Sequence, residues 1–293
     1  MPPRNGEAAG DKTVRMRATD TLLFARDSAH PQQRSFYDLA SDKVASGVTD
    51  SAAKSEAGEP IDPRAIAGDR VERVDAVELL RRLPSASVDL IVTDPAYESL
   101  EKHRAIGTTT RLKHSKSSSN DWFSIFPNAR FPELFREAFR VLKKNTHLYL
   151  FCDQETMFVA KPIGEAAGFK FWKPVVWDKC MIGMGYHYRS RYEMILFFEK
   201  GKRKLKSLSI PDILAEPRIR GGYPSEKPAR ISEILIGQSS DAGELVVDPF
   251  CGSGSVGVAA RTLGRRFLGS DVCAEAVDIT RERLAAIAPA TDT

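Results

Sequence analysis

The run Val88-Asp89-Leu90-Ile91-Val92-Thr93 is apolar at four of six positions and stops abruptly at Asp94-Pro95-Ala96-Tyr97. So short and dense a run, closed by a proline turn, reads as a strand buried inside a sheet. A second strand over 245–247 opens directly onto Asp248-Pro249-Phe250-Cys251-Gly252-Ser253-Gly254. Between and around these strands the periodicity alternates. Helical spacing is expected over 77–83, 133–144, 229–238, 256–263 and 274–287, and strands over 147–151, 173–177, 194–198 and 266–269. Strands alternating with helices predict an α/β fold, an open and mostly parallel sheet with helices on both faces. No internal repeat interrupts the pattern.

With 293 residues, 42% of them apolar, the chain can bury a substantial core. Residues 1–64 lack any sustained apolar period and read as a mobile or partly docked arm, its candidate anchors lying at 21–24 and 36–39. The four cysteines, Cys152, Cys180, Cys251 and Cys273, have no metal-ligand spacing, so no metal site is expected and the thiols read as reduced. No apolar run is long enough for a membrane span, and a soluble cytoplasmic protein is the expectation. The net charge of +4 says little by itself; the placement of the positive charge matters more.

Both turns can carry chemistry. Gly252 and Gly254 lie between a strand and a helix, where backbone approaches a ligand closely and helix N-terminal amides are presented. With Gly257 they meet the count of a dinucleotide loop, but a tight structural connection would look the same. Asp271 follows the next strand, where a carboxylate can accept from both ribose hydroxyls or cap the last helix. The ligand is adenosine-like on either the nicotinamide or the adenosyl reading. At the other turn, Asp94 and the Pro95 carbonyl can each accept one hydrogen of an exocyclic amine, and Tyr97 offers a stacking face. Two acceptors aimed at an aromatic amine favour the tetrahedral geometry in which its lone pair is free to attack. Asp-Pro also occurs as an ordinary turn.

Taken in order, the motifs resemble those of the DNA amino-methyltransferases that modify adenine N6 or cytosine N4. The arrangement is similar to the permuted beta class, with the catalytic motif ahead of the cofactor motif. The resemblance covers residues 75–284. It rests on the 75–84 segment, Asp94-Pro95-Ala96-Tyr97, Phe151-Cys152-Asp153, Val176-Trp177-Asp178-Lys179, Arg191-Tyr192-Glu193, Ser225-Glu226-Lys227-Pro228, the glycine turn and 264–271.

The resemblance implies a Rossmann-like open mixed sheet, occupying 65–293, that uses S-adenosylmethionine. Asp94, Pro95 and Tyr97 would then hold a flipped base. Asp75, Lys227, Pro228, Asp248, Phe250, Gly252, Gly254 and Asp271 would hold the cofactor. Double-stranded DNA is the implied partner, with a homodimer and a cognate restriction endonuclease as further candidates. Ala96 in place of the family's second proline loosens the turn, and Ser225-Glu226 in place of Thr-Gln brings a negative charge to the cofactor's edge.

Two basic inserts are candidate DNA contacts. The first, 98–121, carries Lys102, Arg104, Arg111 and Lys113; the second, 199–224, carries Lys202, Arg203, Arg218 and Arg220. Residues 183–189, rich in glycine and aromatics, suit a loop closing over the base. Asp at the head of the catalytic turn leans towards adenine N6. Cytosine N4, an RNA or small-molecule amine, and a catalytically silent DNA-binding subunit are the competing readings.

Overall fold

A computed structural model describes residues 58–99, 124–183, 188–220 and 226–287. The compact unit carrying the motifs is Ser55–Thr293. Its centre is an eight-stranded sheet in the order β1-β8-β7-β2-β3-β5-β4-β6. The strands are β1 (Asp69–Arg73), β2 (Val88–Thr93), β3 (Leu142–Cys152), β4 (Lys170–Asp178), β5 (Tyr192–Lys200), β6 (Ile213–Ala215), β7 (Leu245–Asp248) and β8 (Arg266–Asp271). β5 runs antiparallel to both neighbours, and every other pairing is parallel. The sheet is therefore mixed but mostly parallel, as the motif pattern predicts.

Among the described residues six helices cover it: α1 (Ala76–Arg81), α2 (Phe131–Val141), α3 (Gln154–Ala166), α4 (Ala229–Ser239), α5 (Ser255–Thr262) and α6 (Ala274–Ala285). Side chains alternate across a strand, so β2 feeds two cores. Ile91 joins Leu79, Phe131, Phe135 and Ala160 beneath α1–α3, whereas Leu90 and Val92 join Ile231, Leu235, Val256 and Val277 beneath α4–α6. A strand buried on both faces needs apolar residues of both parities, which is why 88–93 reads as a continuous run.

Several expected boundaries move for identifiable reasons. The helix expected over 133–144 ends at Val141, because Leu142 leaves it to pair with Val88. The arm expected to end at residue 64 is shorter. Ile61 is buried and its N–H donates to the Arg82 carbonyl at 2.9 Å, while Asp62 caps a 3-10 turn at Pro63–Ala65. The candidate anchors at 21–24 and 36–39 lie outside the described residues. Trp177 is core: it is 2% exposed and its indole N–H donates to the Glu216 carbonyl at 2.7 Å.

The layout fixes where a ligand can bind. From β2 the chain turns towards β3, and from β7 it turns the other way, towards β8. β2 and β7 are themselves paired in parallel, Leu90 with Val246 and Ile91 with Val247. A crevice opens at the carboxyl ends of such diverging strands.

The α1–α3 face is held largely by an aromatic cluster. Phe135 lies 5.3 Å from Phe198 and 6.1 Å from both Phe131 and Phe169, ring centre to ring centre. Phe135→Ala is expected to destabilise the domain by about 3–5 kcal/mol, measured by urea denaturation; a loss below about 1 kcal/mol would show that the face collapses to fill the gap.

Candidate active site

The crevice holds a cavity of about 380 Å³, within the range of ~300–1,000 Å³ usual for ligand sites. Asp94, Pro95, Ala96 and Tyr97 form one side and Asp248, Phe250, Gly252 and Asp271 the other, with Asp75 and Lys227 completing the wall. The two sequence motifs, far apart in the chain, thus share one cavity. Gly254 and Pro228 do not line it. They stand behind it as the N-caps of α5 and α4.

The glycine turn is held from beneath. The Gly252 N–H donates to Asp271 Oδ2 at 3.1 Å, and Thr280 Oγ1 donates to the Gly252 carbonyl at 2.7 Å. Gly252 and Gly254 have φ of +49° and +83°, a left-handed region that glycine alone enters freely. A Cβ on Gly254 would meet Thr280 Cγ2 at 2.7 Å, whereas one on Gly252 would meet nothing within 4 Å. The first glycine therefore leaves room for a ligand and the second permits close packing. Asp271 also accepts from the Cys273 N–H at 2.9 Å. Cys273 is the N-cap of α6, so Asp271 supports the cap from two residues before it.

Asp248 ends β7 in full burial. Its Oδ1 accepts from Thr93 Oγ1 at 2.7 Å and from the Phe250 N–H at 3.0 Å, while burial pushes its carboxyl up to about 7. Asp75 caps α1, accepting from the Val77 N–H at 3.0 Å, and takes a two-pronged grip from Arg130 at 2.8 Å on each oxygen. Burial raises the Asp75 carboxyl's affinity for a proton, but Arg130 and the capping amides outweigh it and leave the pKa lowered.

Arg130 belongs to a strap that sequence reading missed. The Phe126 N–H donates to the Ala96 carbonyl at 2.7 Å, and the Phe126 ring packs edge-on against Phe250 at 5.0 Å. Residues 124–126 and Arg130 thereby line the cavity. This bond ties down the turn that Ala96 was expected to loosen. Ser99 Oγ adds a second tie, donating to Asp153 Oδ2 at 2.5 Å, where Asp153 caps α3.

Tyr97 is only 8% exposed, and burial raises its hydroxyl well above the usual range. Asp94 is paired with Lys227, which also lies 3.3 Å from Glu193 Oε2. Burial raises the Asp94 carboxyl, with Lys227 opposing. Burial lowers the Lys227 amine, but Asp94 and Glu193 outweigh it and raise it overall, so the group stays an ammonium. Lys227, expected beside the cofactor, thus lines the cavity with its charge turned to the catalytic turn. Glu226, expected as an added negative charge, is matched by Arg283 at 2.8 Å, which also donates to the Ser253 carbonyl at 2.7 Å.

The basic inserts divide. Lys102, Arg104, Arg111 and Lys113 lie outside the described residues, as do residues 184–187 of the expected closing loop. Lys202 and Arg203 lie away from the Asp94 turn. They follow β5, whose antiparallel course carries its end to the edge opposite Asp94: Cys152 pairs with Met194 and Thr146 with Lys200. At ~3.3 Å per residue, nine residues put the two edges roughly 26 Å apart. Arg203 is moreover engaged by Asp241 at 3.1 Å and Glu244 at 3.0 Å. Arg218 and Arg220 do face the catalytic edge, because β6 runs parallel to β4 and ends beside Asp178. Both are exposed, with Arg220 set against Met181. Beyond β4 and β5 the chain continues as a hairpin, its Gly183 N–H donating to the Ser190 carbonyl at 2.7 Å. That arm carries the fully exposed Tyr188 and half-exposed Ile182 beyond the same edge.

These features define an α/β domain with an acceptor-bearing turn and a glycine turn on one cavity. Residues 88–282 match the N6/N4 DNA methylase family, and the chain belongs to that family. It is 26% identical over 238 residues to the type II methyltransferase M.HpaI of Haemophilus parainfluenzae, covering 72% of each chain. Its fold is similar to that of TTHA0409, a putative DNA modification methylase of Thermus thermophilus, at TM-score 0.55 and 23% identity over 74% of this chain and 94% of the other. TTHA0409 has also been solved with S-adenosyl-L-methionine. The cytosine-N4-specific PvuII DNA methyltransferase matches at TM-score 0.60 and 15% identity, over 78% and 89%.

Gly252→Ala and Gly254→Ala separate ligand room from packing. Each carries a left-handed penalty of about 1–2 kcal/mol, and Gly254→Ala adds the clash with Thr280. Gly252→Ala is expected to unfold only slightly earlier than wild type while losing most of its thermal stabilisation by S-adenosylmethionine. Full stabilisation in that variant would remove the glycine turn from the ligand site.

Proposed function

We infer that this chain transfers a methyl group from S-adenosylmethionine to N6 of an adenine flipped out of double-stranded DNA. The observation that carries this reading is the shared cavity, in which the Asp94 carboxylate and the Pro95 residue face the glycine turn and Asp271.

The residues present fit the cofactor. Ser232 Oγ and Ser255 Oγ are buried on the cavity wall without hydrogen-bond partners, which is what a polar ligand would relieve. Gly252 leaves open space, and Asp271 has acceptor capacity for ribose hydroxyls beyond its two backbone bonds. Val272, 42% exposed beside it, offers an apolar face for an adenine ring. The wall carries six carboxyl groups, Asp75, Asp94, Glu193, Glu226, Asp248 and Asp271, against the cations Lys227 and Arg130. Such a lining suits a sulfonium. When bound, the cofactor supplies a methyl carbon whose bond to sulfur breaks as the amine nitrogen attacks.

The protein's part is positioning. A base inside a duplex is out of reach, so it is extruded into the cavity. Asp94 and the Pro95 carbonyl accept its two amino hydrogens and direct the nitrogen lone pair at the methyl group. Tyr97 stacks on the base. The proton lost after methylation passes to Asp94, whose raised carboxyl is suited to receive it. Lys227, kept as an ammonium, has no lone pair and does not compete for the methyl group. The aspartate at the head of the turn leans towards adenine among the family's enzymes; cytosine N4 is the second reading, favoured by the likeness to a cytosine-N4-specific fold.

Tritiated methyl transfer to unmethylated DNA, followed by nucleoside analysis, tests this reading. N6-methyl-2′-deoxyadenosine is expected. N4-methyl-2′-deoxycytidine would keep the mechanism and change the base, and no label would overturn the reaction. Asp94→Ala is expected to lower kcat by at least about 10²–10³-fold with cofactor affinity nearly unchanged, whereas full activity would sink the role of Asp94.

The same reading sets DNA along the catalytic edge, against Arg218, Arg220 and the paired residues 179–183 and 188–191. Arg218→Gln and Arg220→Gln are each expected to reduce the salt slope of DNA binding by about one ion. Lys202→Gln, on the far edge, leaves it unchanged. A larger effect from Lys202 would put the DNA elsewhere.

A further inference from the structure

Four charges of alternating sign meet behind the catalytic turn, each supplied by a different part of the fold. Lys179 follows β4, Glu193 lies on β5, Lys227 precedes α4 and Asp94 follows β2. Lys179 Nζ is 2.5 Å from Glu193 Oε1, Glu193 Oε2 is 3.3 Å from Lys227 Nζ, and Lys227 Nζ is paired with Asp94 Oδ2. The two lysines are backed by aromatic faces, with Lys179 over Trp177 at 5.3 Å and Lys227 over Phe151 at 5.7 Å. All four side chains are largely sequestered, 12–25% exposed. Buried charges are tolerated only when paired, and removing one leaves the next uncompensated.

The geometry gives the chain a direction. Lys227 takes Oδ2 of Asp94, and among the described residues Oδ1 carries no hydrogen bond. A carboxylate gripped by one oxygen can rotate about the grip unless the gripping group is itself fixed. Glu193 fixes it, and Lys179 fixes Glu193. Glu193 lines the cavity; Lys179 takes its Oε1, and its buried Oε2 makes no hydrogen bond and faces Lys227 as an ion-pair contact at 3.3 Å.

We propose that Glu193 is a positioning residue for methyl transfer, holding the Lys227 ammonium so that Asp94 presents its free oxygen to the target amine. This rests on the reaction inferred above and names part of its machinery. Asp94 is faced by the charged groups Lys227, Glu193 and Lys179 and by Tyr97, Asp248 and Cys152. Of these, Glu193 is the anion that shares Lys227. Neutralising it removes a repulsion and gives Lys227 wholly to Asp94. Both changes stabilise the Asp94 carboxylate.

The test compares wild type, Glu193→Gln, Glu193→Asp and Lys179→Met by steady-state kinetics across pH, with exchange of the Lys227 ammonium protons followed by NMR in the protein alone. Lys227→Met identifies that signal. Glu193→Gln is expected to lower kcat between about 10- and 100-fold, to leave KM for cofactor and DNA within about twofold, and to move the acid limb of the kcat profile to lower pH. Glu193→Asp keeps the charge, so its acid limb stays in place and kcat recovers part of the loss. Lys179→Met, further from the reaction, gives a smaller loss in kcat. Lys227 ammonium exchange is expected to quicken in Glu193→Gln.

Unchanged kcat and unchanged exchange would overturn the proposal. So would a loss of activity with no shift of the acid limb, which is what mere loosening of the site produces. Wild-type protein that labels no DNA would sink the reaction itself, and ammonium exchange then decides the positioning chain alone.

Discussion

Thr93 and Asp248 stand 155 residues apart in the chain, yet their side chains meet in full burial at 2.7 Å. That contact marks the seam between β2 and β7, on which the site depends. A parallel pairing brings two strands to the same edge with their ends level, so whatever follows each strand is delivered to one place. Asp94 and its turn follow one, and the glycine turn follows the other. A one-residue slip in the seam would offset the Asp94 turn from the glycine turn and would also turn Leu90 and Ile91 to the wrong cores.

The seam explains how the site tolerates a permuted order of motifs. The sheet reads spatial neighbours, not chain order, and β7 and β2 adjoin whichever comes first. The cost falls on the connections. Between β2 and β7 the chain must build β3 to β6, and this outer half gives the site its walls and its charges. β5 brings Glu193 to the catalytic edge because it is antiparallel, and the same reversal takes Lys202 to the far one. A single inverted strand therefore decides which polar residues serve the reaction.

The sequence made the inner half legible, since a strand buried on both faces cannot avoid a dense apolar run. The elements it hid obey other rules. In β1 only Val71 is buried, so Asp-Arg-Val-Glu-Arg shows no apolar run. α3 contains Pro162 and Gly164, which argue against a helix. Gly164 is nonetheless required there: a Cβ would come within 2.7 Å of Phe198 and 2.9 Å of Phe135, so the close approach of helix to sheet outweighs propensity. β6 has three residues and exists because β4 offers it an edge. The motif residues around the cavity were legible because turn chemistry is local. Arg130, Phe126 and the pairing of Glu193 were not, because only the register of distant strands and the path of the strap bring them in.

The charge distribution shows why a site for a cationic cofactor needs a buried cation. Among the described residues six carboxyl groups lie on the wall, and burial first, with mutual repulsion adding to it, favours protonation of the most buried, as Asp248 shows with its carboxyl pushed up to about 7. Asp94 is subject to the same pressure from burial and from Glu193, and the role proposed for it requires a carboxylate. Lys227 is the counterweight that no surface residue could provide, and its own charge survives burial because two carboxylates share it. The acidity that suits a sulfonium and the ionisation that suits an amine acceptor are opposed demands. One lysine placed between Asp94 and Glu193 reconciles them.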